Sequence, residues 1–331
     1  MIPLKDMSWQ SQPWQWQLQN AVTSIDELVR LLELNYPLVA DPFPVMVPLP
    51  FLARMEPGNP ADPLLLQVLP SAAERANVPG FSVDPVGEQG ISAVRGLLHK
   101  YHGRVLVVTT GQCAVNCRYC FRRHFPYQDT TPGRRDWQTI FDHIRADATI
   151  SEVILSGGDP LILPDDRLAW IADELAGIAH IETLRIHTRL PVMIPSRVST
   201  ELLTWMAASR LQLVLVTHIN HPREIDESVS QAAARLKAAG VLLLNQSVLL
   251  RAINDSAITL AELSRKLFRA GILPYYLHLL DPVSGAAHFD VPRDEALQLV
   301  TLMGNMLPGY LVPRLVREVP GASSKVVQSA T

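Results

Sequence analysis

The sequence predicts an α/β protein: a partial β/α barrel of parallel strands behind a helical, proline-rich N-terminal region. From residue 104 onward, short β-branched apolar runs recur at a spacing of about 30 residues after the first gap. These runs are apolar on both faces rather than alternating, as strands buried between layers are. Between them lie stretches with helical periodicity, which supply the crossovers that parallel strands need.

The predicted strands are RVLVVTT (104–110), EVILS (152–156), TLRIHT (183–188), LQLVLVTHI (211–219), VLLLNQSVLL (241–250), PYYLHLL (274–280) and GYLVPRLV (309–316). The predicted helices between them cover 137–147, 165–179, 199–209, 226–239, 256–270 and 292–306. No G-x-G-x-x-G follows the first strand, which weighs against a dinucleotide-binding Rossmann domain. In the N-terminal region, residues 14–35 read as helical and a further helix is expected near 90–100. Residues 36–63 are rich in proline but too apolar for a free linker, so they are expected to wrap the main domain. The expected organisation is therefore 1–100 as the N-terminal region, 101–327 as the barrel core and 328–331 as a tail.

Composition sets outer bounds. The chain has 331 residues, enough to bury a large core, and its 48% apolar and 18% charged residues are those of a soluble globular protein. A net charge of −3 carries no footprint of nucleic acid or anionic membrane, and neither is expected as a partner. No stretch approaches the length of a membrane span, and the first residues lack the pattern of a signal peptide. All three cysteines fall within CAVNCRYC (113–120), so no disulfide framework is expected. A cytoplasmic location follows, with metal or redox chemistry at the thiols.

Polar residues gather where the strands end: Ser156, Gly157, Gly158 and Asp159; His187, Thr188 and Arg189; Thr217 and His218 with Asn220 and His221; Asn245, Gln246 and Ser247; and His278 to Asp281. The C-terminal rim of a parallel barrel is where its active site lies. Of these, Ser156, Gly157, Gly158, Asp159, His218 and Gln246 are the candidate contacts for bound cofactors.

Two chemistries fit the thiols. Zinc in a closed site takes four ligands, and His124 could complete Cys113, Cys117 and Cys120. A [4Fe–4S] cluster held by three thiolates keeps one iron without a protein ligand. The C-x3-C-x2-C spacing directly after the first parallel strand resembles the radical S-adenosylmethionine (SAM) superfamily, in which SAM occupies that iron. Tyr119, just before the last cysteine, fits the same pattern. SGGDP at 156–160 resembles the superfamily's glycine-rich motif, which approaches the amino group of SAM.

Longer stretches narrow the resemblance. CAVNCRYCFRRHFPY, SGGDPL, RIHTRLPVMIPSRV, THINHPREI, LLNQSVLLRAIND, PYYLHLLDPVSGAAHF and GYLVPRLVREVPGASSK together are similar to the lysine 2,3-aminomutase family, from about residue 50 to 327. The length matches its short subgroup, which makes β-lysine for elongation factor P. The resemblance implies a radical isomerisation that moves the α-nitrogen of L-lysine to Cβ, with SAM and pyridoxal 5′-phosphate (PLP) as cofactors. It implies a reducing electron donor, and a separate ligase that attaches β-lysine to the factor.

A PLP enzyme needs a lysine for its Schiff base. Of the five lysines, Lys5 lies in the N-terminal tail, and Lys237 and Lys266 read as surface charges on helices. Lys325 matches the family's PLP lysine, although Ala322, Ser323 and Ser324 stand where the catabolic members carry a glycine run. Lys100 and Tyr101 fall where the family contacts the PLP phosphate, with Lys100 in place of an arginine. Arg122 matches the family's arginine for the substrate carboxylate, Asp281 one acid for the ε-ammonium, and Glu318 the other, normally an aspartate. The alternative for Glu318 is a salt bridge to Arg314 or Arg317. Rival readings are an aminomutase for another amino acid, a radical SAM enzyme of another reaction class, and a zinc-stabilised binding module.

Overall fold

The computed structural model of the protein describes residues 7–37, 42–89 and 94–329. Its centre is one sheet of nine strands in chain order: β1 (Leu97–Tyr101), β2 (Arg104–Thr110), β3 (Glu152–Gly157), β4 (Thr183–Thr188), β5 (Gln212–Thr217), β6 (Leu242–Val248), β7 (Leu273–His278), β8 (Arg314–Arg317) and β9 (Val326–Val327). Strands β2 to β8 run parallel, and β1 and β9 pair antiparallel at the two ends. Because strand order equals chain order, each crossover steps the same way and the sheet curls around one interior. Among the described residues no ladder joins β9 to β1, so the curl stays open as a partial barrel.

Register decides which side chains face in. Val107, Leu155, Ile186, Leu215 and Leu243 pair in one row across β2 to β6, and all are buried in the main apolar cluster. The next row along, Leu106, Ile154 and Arg185, points the other way and lines the central cavity. This is the period of two that a pleated strand imposes. The outer row is covered by helices such as Arg134–Ala146, whose Trp137, Ile140, Phe141 and Ile144 sit at helical spacing and are buried. The other five crossover helices span Asp165–Ala176, Thr200–Ala208, Glu227–Ala238, Ala257–Arg269 and Arg293–Met306. Each agrees with its periodicity to within a turn.

The N-terminal region departs from expectation in two places. The helical reading of 14–35 resolves into two short helices, Trp14–Gln19 and Ile25–Leu31. The helix expected near 90–100 is instead β1 where the chain is described, with residues 90–93 outside the described part. Leu97 and Leu98 are buried while His99 is exposed, a pattern that short-range periodicity does not separate from a helical turn. The expected boundary at 100 therefore falls within β1. The last expected strand, 309–316, is a 3-10 turn at Gly309–Leu311 followed by β8.

The proline-rich stretch does wrap the barrel. Val45, Val47, Leu49, Phe51 and Leu52 join the same apolar cluster as the strands. Its backbone also meets the cysteine loop: Asn116 N donates to Met46 O (3.1 Å) and Arg118 N to Gln67 O (2.9 Å). Beside them, Glu74 takes two bonds from Arg118 (2.8 and 2.5 Å) and one from Arg123 (2.9 Å). Both guanidiniums lie over the Phe43 ring. Among the described residues no helix is long and apolar enough to cross a membrane.

Truncating one partner of a buried charge group is far costlier than truncating an exposed one. Glu74→Ala, which removes the carboxylate that accepts three bonds from two buried guanidiniums, should lower the unfolding free energy by about 3–5 kcal/mol in a denaturant titration. A change below about 1 kcal/mol would mean that the Glu74 pairings contribute no more than surface ion pairs do.

Candidate active site

The inner faces of the strands and the loops at their C-terminal ends enclose one cavity. Its walls include Cys113, Cys117 and Cys120 together with Lys100, Tyr101, Arg122, Ser156, Gly157, Gly158, Asp159, His218, Gln246, Asp281, Glu318 and Lys325. Every residue singled out in the sequence as a site candidate thus faces one space. His124 does not: it is exposed, and its Nε2 lies 3.1 Å from the Ser284 carbonyl.

The three thiols form no disulfide and are half-buried. Burial, reinforced by the neighbouring thiols, pushes Cys113 well above the usual range, and burial pushes Cys120 up to about 11. Cys113 and Cys120 are neutral until an electropositive centre displaces their protons. Among the described residues, no three His, Cys, Asp or Glu side chains converge on one point as a single metal ion requires. Thiolates bound to different corner irons of a cubane need no such convergence, so the three cysteines fit a cluster better than zinc. Arg189 Nη1 sits 2.8 Å from Cys117 Sγ, held by Glu224 (2.9 Å) and Gln67 (2.5 Å).

The glycine pair after β3 has a reason within the chain itself. A Cβ on Gly158 would lie 2.2 Å from the Gln112 carbonyl oxygen, and one on Gly157, where φ is +114°, 2.7 Å from Thr110 O. Only glycines let this turn press against the cysteine loop, where Gly158 N donates to Thr110 O and Asp159 N to Gln112 O, both at 2.7 Å. Asp159 is likewise committed. Its carboxylate accepts from Thr188 Oγ1 (2.6 Å) and from the backbone of Leu161, Arg189 and Leu190 (3.1, 2.8 and 2.9 Å). Two oxygens with four donors have nothing left for a ligand, so this candidate cofactor contact is a strut between β3 and β4.

His218 Nε2 lies 2.9 Å from the Gln246 amide nitrogen, which makes it the acceptor and puts its proton on Nδ1. Burial, with the cations Arg189, Lys325 and Arg122 nearby, lowers it to about 3, so the ring is neutral. His187 and His278 also line the cavity. The Nε2 atoms of both have no partner among the described residues, and burial holds both neutral.

Charged groups form one connected set. Lys325 Nζ is 2.8 Å from Glu318, which also accepts a short bond from Tyr101 and faces Lys100 Nζ at 3.9 Å. Neither Arg314 nor Arg317 is paired with Glu318. Lys100 in turn is 3.1 Å from Glu88, and Glu88 takes Arg122 side-on through Nε (2.7 Å) and Nη2 (3.0 Å). Asp281 stands apart from this set, its Oδ1 unpartnered. Of the remaining lysines, Lys266 is half-buried rather than a surface charge and donates to Pro222 O at 2.8 Å.

Several of these residues carry no signal in the sequence. Glu88 lies in a turn with neither periodicity nor motif. Gln67 was legible in principle, as a lone polar residue in LLLQVL. Arg189 was visible only as part of a rim cluster.

Comparisons with known proteins agree with this chemistry. The radical SAM superfamily profile matches residues 107–263. The chain is 52% identical to the L-lysine 2,3-aminomutase of Escherichia coli, covering 94% of this chain and 93% of that one. It is 48% identical to the L-lysine 2,3-aminomutase of Haemophilus influenzae, covering 99% and 98%. Among solved structures, a radical SAM methyltransferase from Sphaerobacter thermophilus is similar at a TM-score of 0.47 and 16% identity, covering 67% of this chain and 68% of that one.

Asp281 yields a test that needs no turnover. Burial raises its carboxyl to about 7, opposed in part by the Lys325 cation and reinforced by Glu318 and Glu88. In the unfolded chain it ionises near 3.8. Between those values the unfolded state has lost a proton that the folded state keeps, so stability falls as pH rises and levels off above about 7. Asp281→Asn removes this penalty. In denaturant titrations of the cofactor-free protein, the gain of the variant over wild type should be larger at about pH 8 than at about pH 5. An equal difference at both would mean that Asp281 ionises like an exposed acid.

Proposed function

The chain belongs to the L-lysine 2,3-aminomutase family of the radical SAM superfamily, and from that premise we propose that it makes β-lysine from free L-lysine for elongation factor P. The observation that carries this reading is the shared cavity: three unpaired cysteines, a lysine, an arginine and two acids face one space. Each matches a separate requirement of the reaction.

When bound, the cluster and SAM supply a hydrogen-abstracting radical, and PLP carries the migrating nitrogen. The rest is positioning by this chain. Cys113, Cys117 and Cys120 would hold a [4Fe–4S] cluster and leave one iron for SAM, with electrons from an external reductant. Lys325 would hold PLP, with Lys100 and Tyr101 beside the phosphate. Lys100 is a point charge there and not a planar fork.

Arg122 would fix the substrate carboxylate, since a guanidinium matches that planar anion. The far end of lysine is an ammonium, costly to bury unless acids meet it. Asp281, with a free oxygen and no cation in contact, suits that end. Meeting the ammonium favours its ionised form, so lysine binding at neutral pH would release a proton. Glu318 is taken by Lys325 in the free chain. Glu318 would be open to the substrate's ammonium where Lys325 no longer pairs with it. Paired acids argue against an anionic substrate such as glutamate.

The product would pass to a separate ligase that attaches it to elongation factor P. Lysine turnover should fall at least about 100-fold in Asp281→Asn with SAM affinity nearly unchanged, because losing one partner of a buried charge costs several kcal/mol. Purified enzyme should convert free lysine; conversion only of elongation factor P that already carries lysine would sink the free-amino-acid reading.

Cofactor assignment has its own tests. Any one of Cys113→Ala, Cys117→Ala and Cys120→Ala should lose iron and SAM cleavage together, and normal iron content would refute the cluster assignment. Borohydride reduction followed by peptide mapping should place the pyridoxyl mass on Lys325. Finding it on Lys100 would overturn the PLP assignment.

A further inference from the structure

We propose that Glu88 is the positioning residue of the substrate site: it fixes the edge of Arg122 that receives the carboxylate and ties that arginine to the cofactor lysines. This rests on reading Arg122 as the carboxylate's partner.

Glu88 comes from a turn in the N-terminal region, remote in sequence from every motif. Asp84 builds that turn, its carboxylate accepting from Glu88 N (2.9 Å) and Gln89 N (3.0 Å). Gly87 then packs towards Pro320, in the loop that carries Lys325, where an added Cβ would lie 3.5 Å from the proline ring. The Glu88 side chain is 7% exposed. Its carboxylate is ionised, held at about 2 by the contacts with Arg122 and Lys100 that outweigh its burial.

Side-on pairing consumes the Nε–H and one Nη2–H of Arg122. Nη1 faces Ser156 Oγ at 3.1 Å and the Gly157 carbonyl at 3.4 Å. The edge left for a ligand is therefore the end, where Nη2 keeps a free hydrogen and Nη1 holds its weaker contact. A guanidinium without Glu88 would be free to turn its better, side-on fork into the cavity and misplace the substrate.

Charge order makes the same point. Arg122, Glu88, Lys100, Glu318 and Lys325 alternate in sign along the seam. The first four of these are neutral as a row and end in a cation at Arg122 and an anion at Glu318. A lysine that places its carboxylate on the first and its ammonium by the second continues the alternation at both ends. Glu88 is the anion that both Arg122 and the half-buried Lys100 meet.

The test uses the fully loaded enzyme and its KM and kcat for lysine, with lysinamide as a competitive inhibitor that lacks the carboxylate. Glu88→Gln should raise the KM for lysine about tenfold, the worth of one charge-assisted hydrogen bond, and change kcat less than about threefold. Glu88→Asp, which keeps the charge, should fall between the two, and it carries the test if the glutamine variant does not fold. Iron and PLP contents should match wild type. An unchanged KM would overturn the proposal; a lowered one would too, by showing that Glu88 competes with the substrate for Arg122. The Arg122 reading is judged separately. Arg122→Gln, which removes the charge, should erase the preference for lysine over lysinamide, and if that preference survives, the reading fails whatever Glu88 does.

Discussion

The open seam between β1 and β9 is the constraint on which the site depends. A closed ladder would join the first and last strands by backbone hydrogen bonds and fill the interior with side chains. Here the ends are joined by side-chain charges: Glu88 and Lys100 on one side, Glu318 and Lys325 on the other, with Tyr101 bonded across to Glu318. Buried charges of this kind are costly unless each meets its opposite. Their alternation keeps the cost low and leaves a charged wall inside the barrel. A β-ladder in the same place would hold the strands as well, but it would offer a ligand nothing.

The opposite wall is set differently. The cysteine loop has no regular structure of its own, so the surrounding chain pins it at several points. Met46 and Gln67 hold its backbone, Glu74 holds Arg118, and the glycine turn after β3 presses on Gln112. Arg189 then places a cation against Cys117. With the loop fixed, bringing in a cluster costs proton release from Cys113 and Cys120 and little further ordering of the chain. The proline-rich N-terminal region is therefore part of the active-site scaffold, because its carbonyls are what the loop hangs from.

Strands β2 to β8 and their six helices were legible because each obeys one local rule, a buried apolar run or a 3.6-residue face. The cysteines, the glycine turn and Lys325 were legible as motifs. What escaped notice depends on contacts distant in sequence. β1 looked helical because Leu97 and Leu98 are adjacent and buried, and only pairing with β2 makes the segment a strand. Glu88 meets Arg122 across 34 residues, and Gln67 meets Arg189 across 122. Asp159 was singled out by its place: polarity at a strand end marks the rim, but does not say whether the group faces a ligand or braces the chain, as its carboxylate does here.

Hydrogen-bond satisfaction separates those two cases. Asp159, Asn245 and Asn254 are buried polar groups near the rim, and each has its bonds made within the protein. A folded chain leaves few buried polar atoms unpaired, because each unmade bond costs about 1–3 kcal/mol. Yet Asp281 Oδ1 and the Nε2 atoms of His187 and His278 are unpaired among the described residues, and all three residues line the same cavity. Trp9 Nε1 and Trp205 Nε1 are unpaired as well and lie away from the cavity, so an unmade bond alone does not mark a ligand contact. What sets His187, His278 and Asp281 apart is that the unmade bond and the cavity coincide, whereas the Asp159 carboxylate lines the same space with its bonds already made.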